Sequence, residues 1–488
     1  MDFLDPQKKR QRTIRLMVGY VLVGIAIALA SLVLLLQAYG YDLNRQTGQV
    51  IQNGLVFVAS HPVSANLYLN GVAKGTTSTK LTIQAGQYSV ALKQKDYRTW
   101  QRTITLQGGT VERLVYPVLF PAKLVTTDTQ LYSSVPSFAT ESPDRQWLLV
   151  QQTGSFTTFD NFDLNNPTTA PTTVSLPADL LTQSTGPESL AMVEWSTDNR
   201  HVLIKHTYSG GDEFIMVDRQ DPGSSYNVNK QFNVTPSSVA LHNKRFDQLY
   251  IYDAAAKTVQ EADTKTSQLT PLLANVINFK PYGADTILYA TDDSQTPGKN
   301  AIKIWDGKQS YLIHYYPSAA SYGLDMASYS GHNYVVVAPT GGGAAYIYKD
   351  ALDQAKKTNK AAAAFTDLRL DQPAFVSFSA NAQFILAQSG PNFAVYDIDS
   401  GQRYFYELKD EVPITQKAIW MDGDRILLVL GGKTVVFDYD GINRQDLSAS
   451  AAGMLPFFDR DYTNLYTIAP SVKVPDRAAL TRTLMTVK

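Results

Sequence analysis

A pattern of a polar turn, an apolar strand, a short hairpin and a second strand with an acidic end recurs about eight times between residues 121 and 488. The first copy has the turn Ser142–Arg145 before Trp147–Val150, and the second has Ser196–Arg200 before His201–Ile204. Later copies begin near Phe246, Ala284, His332, Asn381, Gly423 and Tyr462. Four strands per copy, at a spacing of about 36–55 residues, are typical of the blades of a β-propeller. The pattern predicts eight blades, with seven as the alternative.

The last copy is incomplete, because it offers one clear pair of strands, residues 464–469 and 479–486. We expect the strand Lys123–Tyr132, at the start of the repeat region, to pair with it and close the ring. The turn Ser142–Asp144 resembles the Ser-Pro-Asp-Gly turn of TolB-like and WD-repeat propellers, with Arg145 in place of the glycine. The resemblance implies a fold and no particular activity.

Residues 16–36 form an apolar run without a charge, which as a helix spans about 30 Å, the thickness of a bilayer core. The preceding tail, residues 1–15, has a net charge of +3. Because positive charge stays in the cytoplasm, we expect a cytoplasmic tail, a single transmembrane helix in the lipid bilayer, and the bulk of the chain outside the cell membrane. A cleaved signal peptide is the alternative, but the run is long for one, and Leu36–Ala38 fits a cleavage site poorly.

Short strands separated by turn residues fill residues 54–120, after a polar segment, residues 37–53, that we interpret as a linker. Asn70-Gly71 between two apolar runs is a strong hairpin signal. The order of the turn signals resembles the PEGA domain, a small β-sandwich common in bacterial and archaeal surface proteins. The matching positions are Pro62, Ala65, Tyr68, Asn70, Gly71, Gly75, Gly86, Tyr88 and Tyr97, whereas Ser64 and Asp96 replace two glycines of the family. The resemblance implies a spacer or adhesive role and no catalytic residue.

The composition excludes several kinds of chemistry. The 488-residue chain has no cysteine, so disulfides, thiol catalysis and cysteine metal sites are excluded. Its net charge is −1, and −4 without the basic tail, which gives no reason to expect nucleic acid as a partner. Residues that favour strands dominate the region after the apolar run, which indicates an all-β fold.

Residues Gly210–Phe214 spell GGDEF, the signature of diguanylate cyclases. That chemistry needs an α/β domain in which carboxylates hold a metal near a nucleotide, and the surrounding sequence lacks alternating helices and strands. The string instead joins two predicted strands of the second repeat, Val202–Tyr208 and Phe214–Asp218. We therefore interpret the two glycines as a hairpin turn and Asp212 and Glu213 as solvated.

No other motif assigns a site. His201 and His206 lie five residues apart in a strand pattern, so their side chains point to opposite faces. Asp438–Gly441 and Asp459–Asp461 resemble fragments of calcium loops without the ligand spacing of an EF-hand. Gly341–Gly343 lacks the Lys-Ser/Thr of a phosphate loop, and no Gly-x-Ser-x-Gly elbow occurs. The sequence therefore assigns no catalytic, cofactor-binding or metal-binding residue and no cofactor.

Two groups of aromatic residues lie in stretches that we interpret as loops: Phe156, Phe159 and Phe162, and Tyr315, Tyr316 and Tyr322. Exposed aromatic rings can stack on sugars or hold peptides, although packing in the core or between blades is their more ordinary role. The insertion Ala351–Ala364 in the fifth repeat is rich in Ala and Lys, which predicts a surface helix or a loop between two strands.

The sequence thus predicts a non-enzymatic binding or scaffolding protein, anchored in the membrane, that presents a propeller face to a protein or glycan at the cell surface. The alternatives are a propeller enzyme acting on a cell-wall polymer or glycan and an accessory subunit of a membrane complex. Converging carboxyls with raised pKa in the central channel would favour the enzyme. An apolar or tyrosine-lined rim would favour binding, and a large exposed apolar patch on one blade edge would favour the accessory subunit.

Overall fold

The computed structural model describes residues 6–38, 40–43, 50–292, 296–358 and 360–487. The chain divides into two compact units, and the division falls at Lys123.

The first unit begins with α1 (Pro6–Ala38), which includes the whole apolar run. Its side chains are exposed on every side from Lys9 to Ala38. An apolar helix that no protein surface covers is typical of a membrane segment. Among the described residues it is the one helix long and apolar enough to cross a membrane, and it is compatible with a membrane anchor or a signal sequence.

A small two-sheet domain follows α1 in the first unit. Its strands are β1 (Tyr41–Leu43), β2 (Val50–Val58), β3 (Asn66–Leu69), β4 (Val72–Thr76), β5 (Thr79–Gln84), β6 (Gly86–Lys93), β7 (Trp100–Leu106) and β8 (Val111–Leu114). One sheet has the order β4-β3-β6-β7, and in the other β2 pairs with β1, β5 and, in parallel, β8. Side chains from both sheets, among them Val56, Leu67 and Trp100, form one buried core.

The turns of this domain follow the predicted pattern. Asn70 and Gly71 have φ angles of 49° and 81° between β3 and β4, the two positive angles that a two-residue hairpin of this type requires. Ser64 and Asp96, which stand where the family has glycine, have φ angles of 65° and 64°. Ser64 and Asp96 therefore adopt the left-handed backbone conformation that glycine adopts most easily.

The interpretation of residues 37–53 as a linker is wrong for the described part of that segment. Tyr41–Leu43 pairs with Val50–Gln52 in an antiparallel ladder. Backbone hydrogen bonds can hold two such strands together without the alternation of apolar and polar residues that marks a half-buried strand. The polar sequence of this segment therefore does not predict the strand pair.

The described residues of the second unit form eight four-stranded antiparallel sheets that follow one another along the chain. Its strands are β9 (Val125–Tyr132), β10 (Ala139–Glu141), β11 (Trp147–Gln151), β12 (Thr158–Asp163), β13 (Thr172–Ser175), β14 (Ser189–Trp195), β15 (His201–Tyr208), β16 (Gly211–Asp218), β17 (Tyr226–Asn227), β18 (Ser238–Leu241), β19 (Gln248–Asp253), β20 (Thr258–Asp263), β21 (Gln268–Leu273), β22 (Val276–Tyr282), β23 (Thr286–Thr291), β24 (Lys299–Trp305), β25 (Ser310–Pro317), β26 (Tyr322–Tyr329), β27 (His332–Pro339), β28 (Ala344–Lys349), β29 (Thr366–Arg369), β30 (Phe375–Phe378), β31 (Phe384–Ser389), β32 (Asn392–Asp397), β33 (Arg403–Glu407), β34 (Ile419–Trp420), β35 (Arg425–Leu430), β36 (Lys433–Asp438), β37 (Gln445–Ala449), β38 (Phe457–Phe458), β39 (Asn464–Pro470) and β40 (Ala478–Leu484). Sheets 1 to 7 take four consecutive strands each, from β10–β13 to β34–β37, and sheet 8 has the order β38-β39-β40-β9. Two short helices, α2 (Val228–Phe232) and α3 (Ala351–Thr358), and two 3-10 turns, Pro222–Ser224 and His242–Lys244, lie between strands.

The sheets pack face to face in succession, and the last one packs on the first. Buried clusters join each pair of neighbours from sheets 1 and 2 through sheets 5 and 6. Phe384 of sheet 6 stacks on Tyr439 of sheet 7, and the backbone N–H of Ala451, after sheet 7, donates to a carbonyl of sheet 8. Tyr132 and Leu480 of sheet 8 pack with Leu148 of sheet 1. The unit is therefore a β-propeller.

The closing strand was located correctly from the sequence. β9 pairs with β40 in an antiparallel ladder that runs from Val125 opposite Leu484 to Tyr132 opposite Ala478. Both ends of the repeat region thus meet in sheet 8, which removes two free sheet edges at once. The eight sheets support the prediction of eight blades, which stays a prediction.

The repeated polar positions shape turns. Asp218 ends β16, the third strand of sheet 2, and its carboxylate accepts the backbone N–H groups of Gln220 and Asp221. Asp306, after the third strand of sheet 4, accepts two backbone N–H groups of its turn in the same way. Short acidic side chains favour such turns because they reproduce a backbone hydrogen bond. Between first and second strands, Arg145 has a φ of 56°, so it takes the left-handed conformation that the resembled turn gives to glycine.

Candidate functional site

The propeller has two faces and a central channel. In antiparallel sheets the loops alternate between the two ends. We call the end that carries the loops between second and third strands, and the connections from sheet to sheet, the top face. The opposite end is the bottom face. The first strands of successive sheets contact one another, as β14 does β18 and β22 does β26, so they lie nearest the axis and line the channel.

Five exposed apolar side chains lie on the top face of sheets 7, 8 and 1. Val135, Ile414 and Leu455 belong to connections between sheets, and Val472 and Val474 lie in the loop between β39 and β40. Their side chains are 40–57% exposed. We call these five residues the top-face patch. Exposed apolar side chains gathered on one surface mark sites of interaction.

The loop that carries Val472 is held in place by a carboxylate of the closing strand. Asp128 Oδ1 accepts the backbone N–H of Val472 at 2.8 Å, and Asp128 Oδ2 accepts the hydroxyl of Ser471 at 2.8 Å and the N–H of Lys473 at 3.1 Å. Burial opposes ionisation, but these hydrogen bonds outweigh it and lower the pKa of Asp128. The segment that carries Val472 is therefore held in one conformation before any partner binds, which reduces the entropy lost on binding.

Among the described residues, two carboxyls of the propeller have raised pKa values, and they act independently of each other. Burial raises the pKa of Glu141 to about 8, and Arg145 opposes the shift. Burial also raises the pKa of Asp424, on sheet 7, to about 6, with Arg425 opposing it. Neither carboxyl contributes to the shift of the other. The converging pair that would favour a glycoside-cleaving enzyme is not formed by these two groups.

The GGDEF string lies in a hairpin, as predicted. The interpretation of both acidic side chains as solvated is wrong for Glu213. β15 and β16 pair from His201 opposite Asp218 to Tyr208 opposite Gly211. Asp212 lies at the surface and pairs with Lys205 at 2.7 Å. Glu213, which we expected to be solvated, is only 2% exposed. Every side chain from Glu213 to Asp218 is buried, because packed side chains of the neighbouring sheets cover both faces of sheet 2.

Glu213 is the acceptor of a buried network that no motif predicts. It accepts hydrogen bonds from the backbone and hydroxyl of Thr182 at 2.7 and 2.8 Å and from Asn227 at 2.7 Å. His206 lies between Glu213 and Glu188, with both nitrogen–oxygen distances at 2.9 Å. Burial opposes the charge on Glu213, but bonds from His206 and the others lower its pKa to about 2. The two carboxylates outweigh burial and raise the pKa of His206.

The remaining candidate residues have structural partners. His201, on the face of β15 opposite to His206, pairs with Asp198 at 2.6 Å. Asp459 accepts hydrogen bonds from Thr463 and Asn464, so its oxygens are occupied within its own turn. In the described ranges no three His, Cys, Asp or Glu side chains are grouped to hold a metal ion. The segment with Gly341–Gly343 connects β27 to β28 as a hairpin.

Phe156 lies in the loop between β11 and β12, as predicted, but the other five aromatic residues lie in strands. Phe159 and Phe162 belong to β12, and Tyr315 and Tyr316 belong to β25. Phe159, Phe162, Tyr316 and Tyr322 are all at most 4% exposed, so packing is their role. The helix predicted in the insertion is confirmed as α3, whose buried Ala351 and Ala355 join the cluster between sheets 4 and 5.

Comparison with known proteins identifies the family of the small domain. Residues 53–117 match the PEGA domain family. No curated protein sequence matches the chain. Solved structures similar to the chain include Kluyveromyces lactis Hsv2, with 10% identity, a TM-score of 0.40, and coverage of 65% of this chain and 98% of that chain. They also include the Dos1 propeller, with 13% identity, a TM-score of 0.44, and coverage of 75% of this chain and 95% of that chain.

An N-terminal apolar helix, a PEGA domain and a β-propeller therefore follow one another along this chain. This organisation fits a binding or scaffold role, because each folded part supplies surface and a framework for loops.

Proposed function

We propose that this protein is a single-pass membrane protein that holds its propeller outside the cell and binds another protein through the top-face patch. The proposal makes it a non-enzymatic scaffold of the cell surface. Glycan binding, the other predicted class, receives less support because aliphatic side chains offer no flat ring on which a sugar stacks.

The top-face patch is the observation that carries the proposal. An isolated exposed apolar residue is ordinary, but five on the same face of three adjacent sheets are not. Protein interfaces have an apolar centre surrounded by polar groups. The loop between β39 and β40 supplies both, because Lys473 lies between Val472 and Val474.

Crosslinking in the native membrane tests the partner. A photoreactive residue replaces Ile414 of the patch or, as a matched control, Ile442, which lies on sheet 7 at the bottom face and is 37% exposed. We expect a discrete crosslinked protein from position 414, which Leu455→Asp removes, and none from position 442. Equal products from both positions, or none from position 414, would contradict binding at the patch.

The absence of cysteine gives a direct test of orientation. The chain has no native thiol, so Lys308→Cys, in an exposed turn of sheet 4, and Gln11→Cys, before the apolar run, each provide one label site. We expect a membrane-impermeant maleimide to label position 308 in intact cells and position 11 only after permeabilisation, because the basic tail stays inside. The reverse labelling pattern would overturn the orientation.

A further inference from the structure

β33 is the outer edge strand of sheet 6, and one of its two faces is open to solvent. Tyr404 and Tyr406 are half-buried, and their rings contact aromatic rings of sheet 7. The alternate residues, Arg403, Phe405 and Glu407, are exposed. Phe405 is 54% exposed, the largest exposed fraction among the phenylalanines that the structure describes. The propeller thus leaves a large apolar side chain half in water, which is unfavourable.

The backbone of β33 also offers hydrogen bonds at its free edge. Beside the ladder with β32, the N–H of Asp397 donates to Gln402 and the N–H of Leu408 donates to Pro391, both at 2.9 Å. Since hydrogen-bonded pairs alternate along an antiparallel ladder, the even-numbered residues of β33 bond to β32. The N–H and C=O groups of residues 403, 405 and 407 therefore point away from the sheet, and such a row is a template for another strand.

Other outer strands of the propeller are protected in ways that β33 is not. β21 contains Pro271, which has no N–H to donate. In β25 the carbonyl of Ile313 accepts the N–H of Ala362, which lies in the segment after α3, and β17 has only two residues. β33 has five residues and no proline. In the described ranges no group bonds to the outward N–H and C=O of Phe405.

The exposed side chains of β33 are complementary to those of the same strand run in reverse. When two copies of β33 pair antiparallel about Phe405, the two Phe405 rings lie opposite each other, and Arg403 lies opposite Glu407 of the partner subunit. Opposed aromatic rings and opposite charges both stabilise a strand pair. Among the described residues, neither Arg403 nor Glu407 forms an ion pair within its own chain. We propose that β33 pairs with β33 of a second copy of this chain, which forms a two-fold symmetric dimer with one continuous sheet.

A second exposed phenylalanine widens the apolar area at one end of β33. Phe365, just before β29 of sheet 5, is 50% exposed, and its ring contacts Tyr396, the residue opposite Arg403 in the ladder. Arg403 donates to the hydroxyl of Thr366, which orders its side chain before the second copy arrives. The pairing involves none of the top-face patch, so it stands or falls independently of the proposed protein partner.

Charge reversal tests the pairing, with sedimentation of the purified full chain in detergent micelles as the measurement. We expect a monomer–dimer equilibrium for the wild type. Arg403→Glu opposes two carboxylates at both ends of the pair, and Glu407→Arg opposes two guanidinium groups, so each should weaken dimerisation by about tenfold. The double variant R403E/E407R restores opposite charges and should dimerise within about threefold of the wild type. Leu455→Asp, in the top-face patch, is the control and should dimerise as the wild type does.

A single cysteine gives a second readout in the native membrane. The chain has no cysteine, so Phe405→Cys can form a disulfide only with another chain. Hydrogen-bonded residues directly opposite each other have Cα atoms about 5.5 Å apart, within the range of a disulfide. We expect mild oxidation to give a homodimer from position 405 and none from Thr270→Cys, an exposed position on the outer strand β21. The proposal fails if the wild type stays monomeric at every concentration, if R403E/E407R dimerises as weakly as the single variants, or if position 405 crosslinks to a different protein.

Discussion

Leu480→Ala should destabilise the propeller by about 2–5 kcal/mol, the usual range for removing a fully buried leucine side chain, and should loosen both ends of the repeat region together. Leu480 is 0% exposed. It lies opposite Gln130 of β9 in the closing ladder and packs with Tyr132 and Leu148 between sheets 8 and 1. A cavity here weakens the sheet that holds two distant parts of the chain, so its effect is not local in sequence.

Hydrogen exchange of the full chain in micelles measures this effect. In Leu480→Ala we expect faster exchange in residues 125–132 and 478–484, because local opening exposes both partners of the ladder. Leu288→Ala is the matched control, since Leu288 is also 0% exposed but packs between sheets 4 and 5. It should lose similar stability and leave the two closing strands protected. Faster exchange confined to residues 478–484 in Leu480→Ala would show that β9 does not close the ring.

Features that depend on neighbours in sequence could be predicted. The turn and apolar strand around Trp147–Val150 follow from local alternation, and Asn70-Gly71 specifies its hairpin through its positive φ angles. Even the closing strand could be predicted, because the last repeat lacked a strand and Lys123–Tyr132 had no other partner. Here local preference and global fold agree.

Features that depend on partners from other repeats could not be predicted. Phe159 and Phe162 lie in a stretch with many Thr, Asp and Asn residues and without a long apolar run, and only packing between sheets shows that they are core. The top-face patch is assembled from four separate connections in the same way. These residues of different repeats lie on one surface or pack together only because the sheets form a ring.

Glu213 shows the same limit in one residue. The string Gly210–Phe214 identifies a turn, but the depth of Glu213 follows from the register of β15 and β16 and from Thr182 and Asn227, which come from other segments. We expect Glu213→Ala to destabilise the fold by about 3–5 kcal/mol, because it leaves the protonated His206 buried beside a cavity with one partner fewer. Asp212→Asn is the matched control, and since that ion pair is partly exposed we expect a change of about 0–1 kcal/mol.

The pH dependence separates this charge network from a simple loss of packing. Glu213 has a pKa of about 2 against an ordinary 4.5, so its stabilisation is complete above 4.5 and is lost as the pH falls toward 2. The pKa of His206 is raised above 6.5, so its stabilisation is present below that value and is lost as the pH rises through the raised pKa. The stability difference between wild type and Glu213→Ala, measured by denaturant unfolding, should therefore be largest between about pH 5 and 6.5. A difference that is constant from pH 3 to 8, or one equal to that of Asp212→Asn, would show that Glu213 contributes shape and not charge.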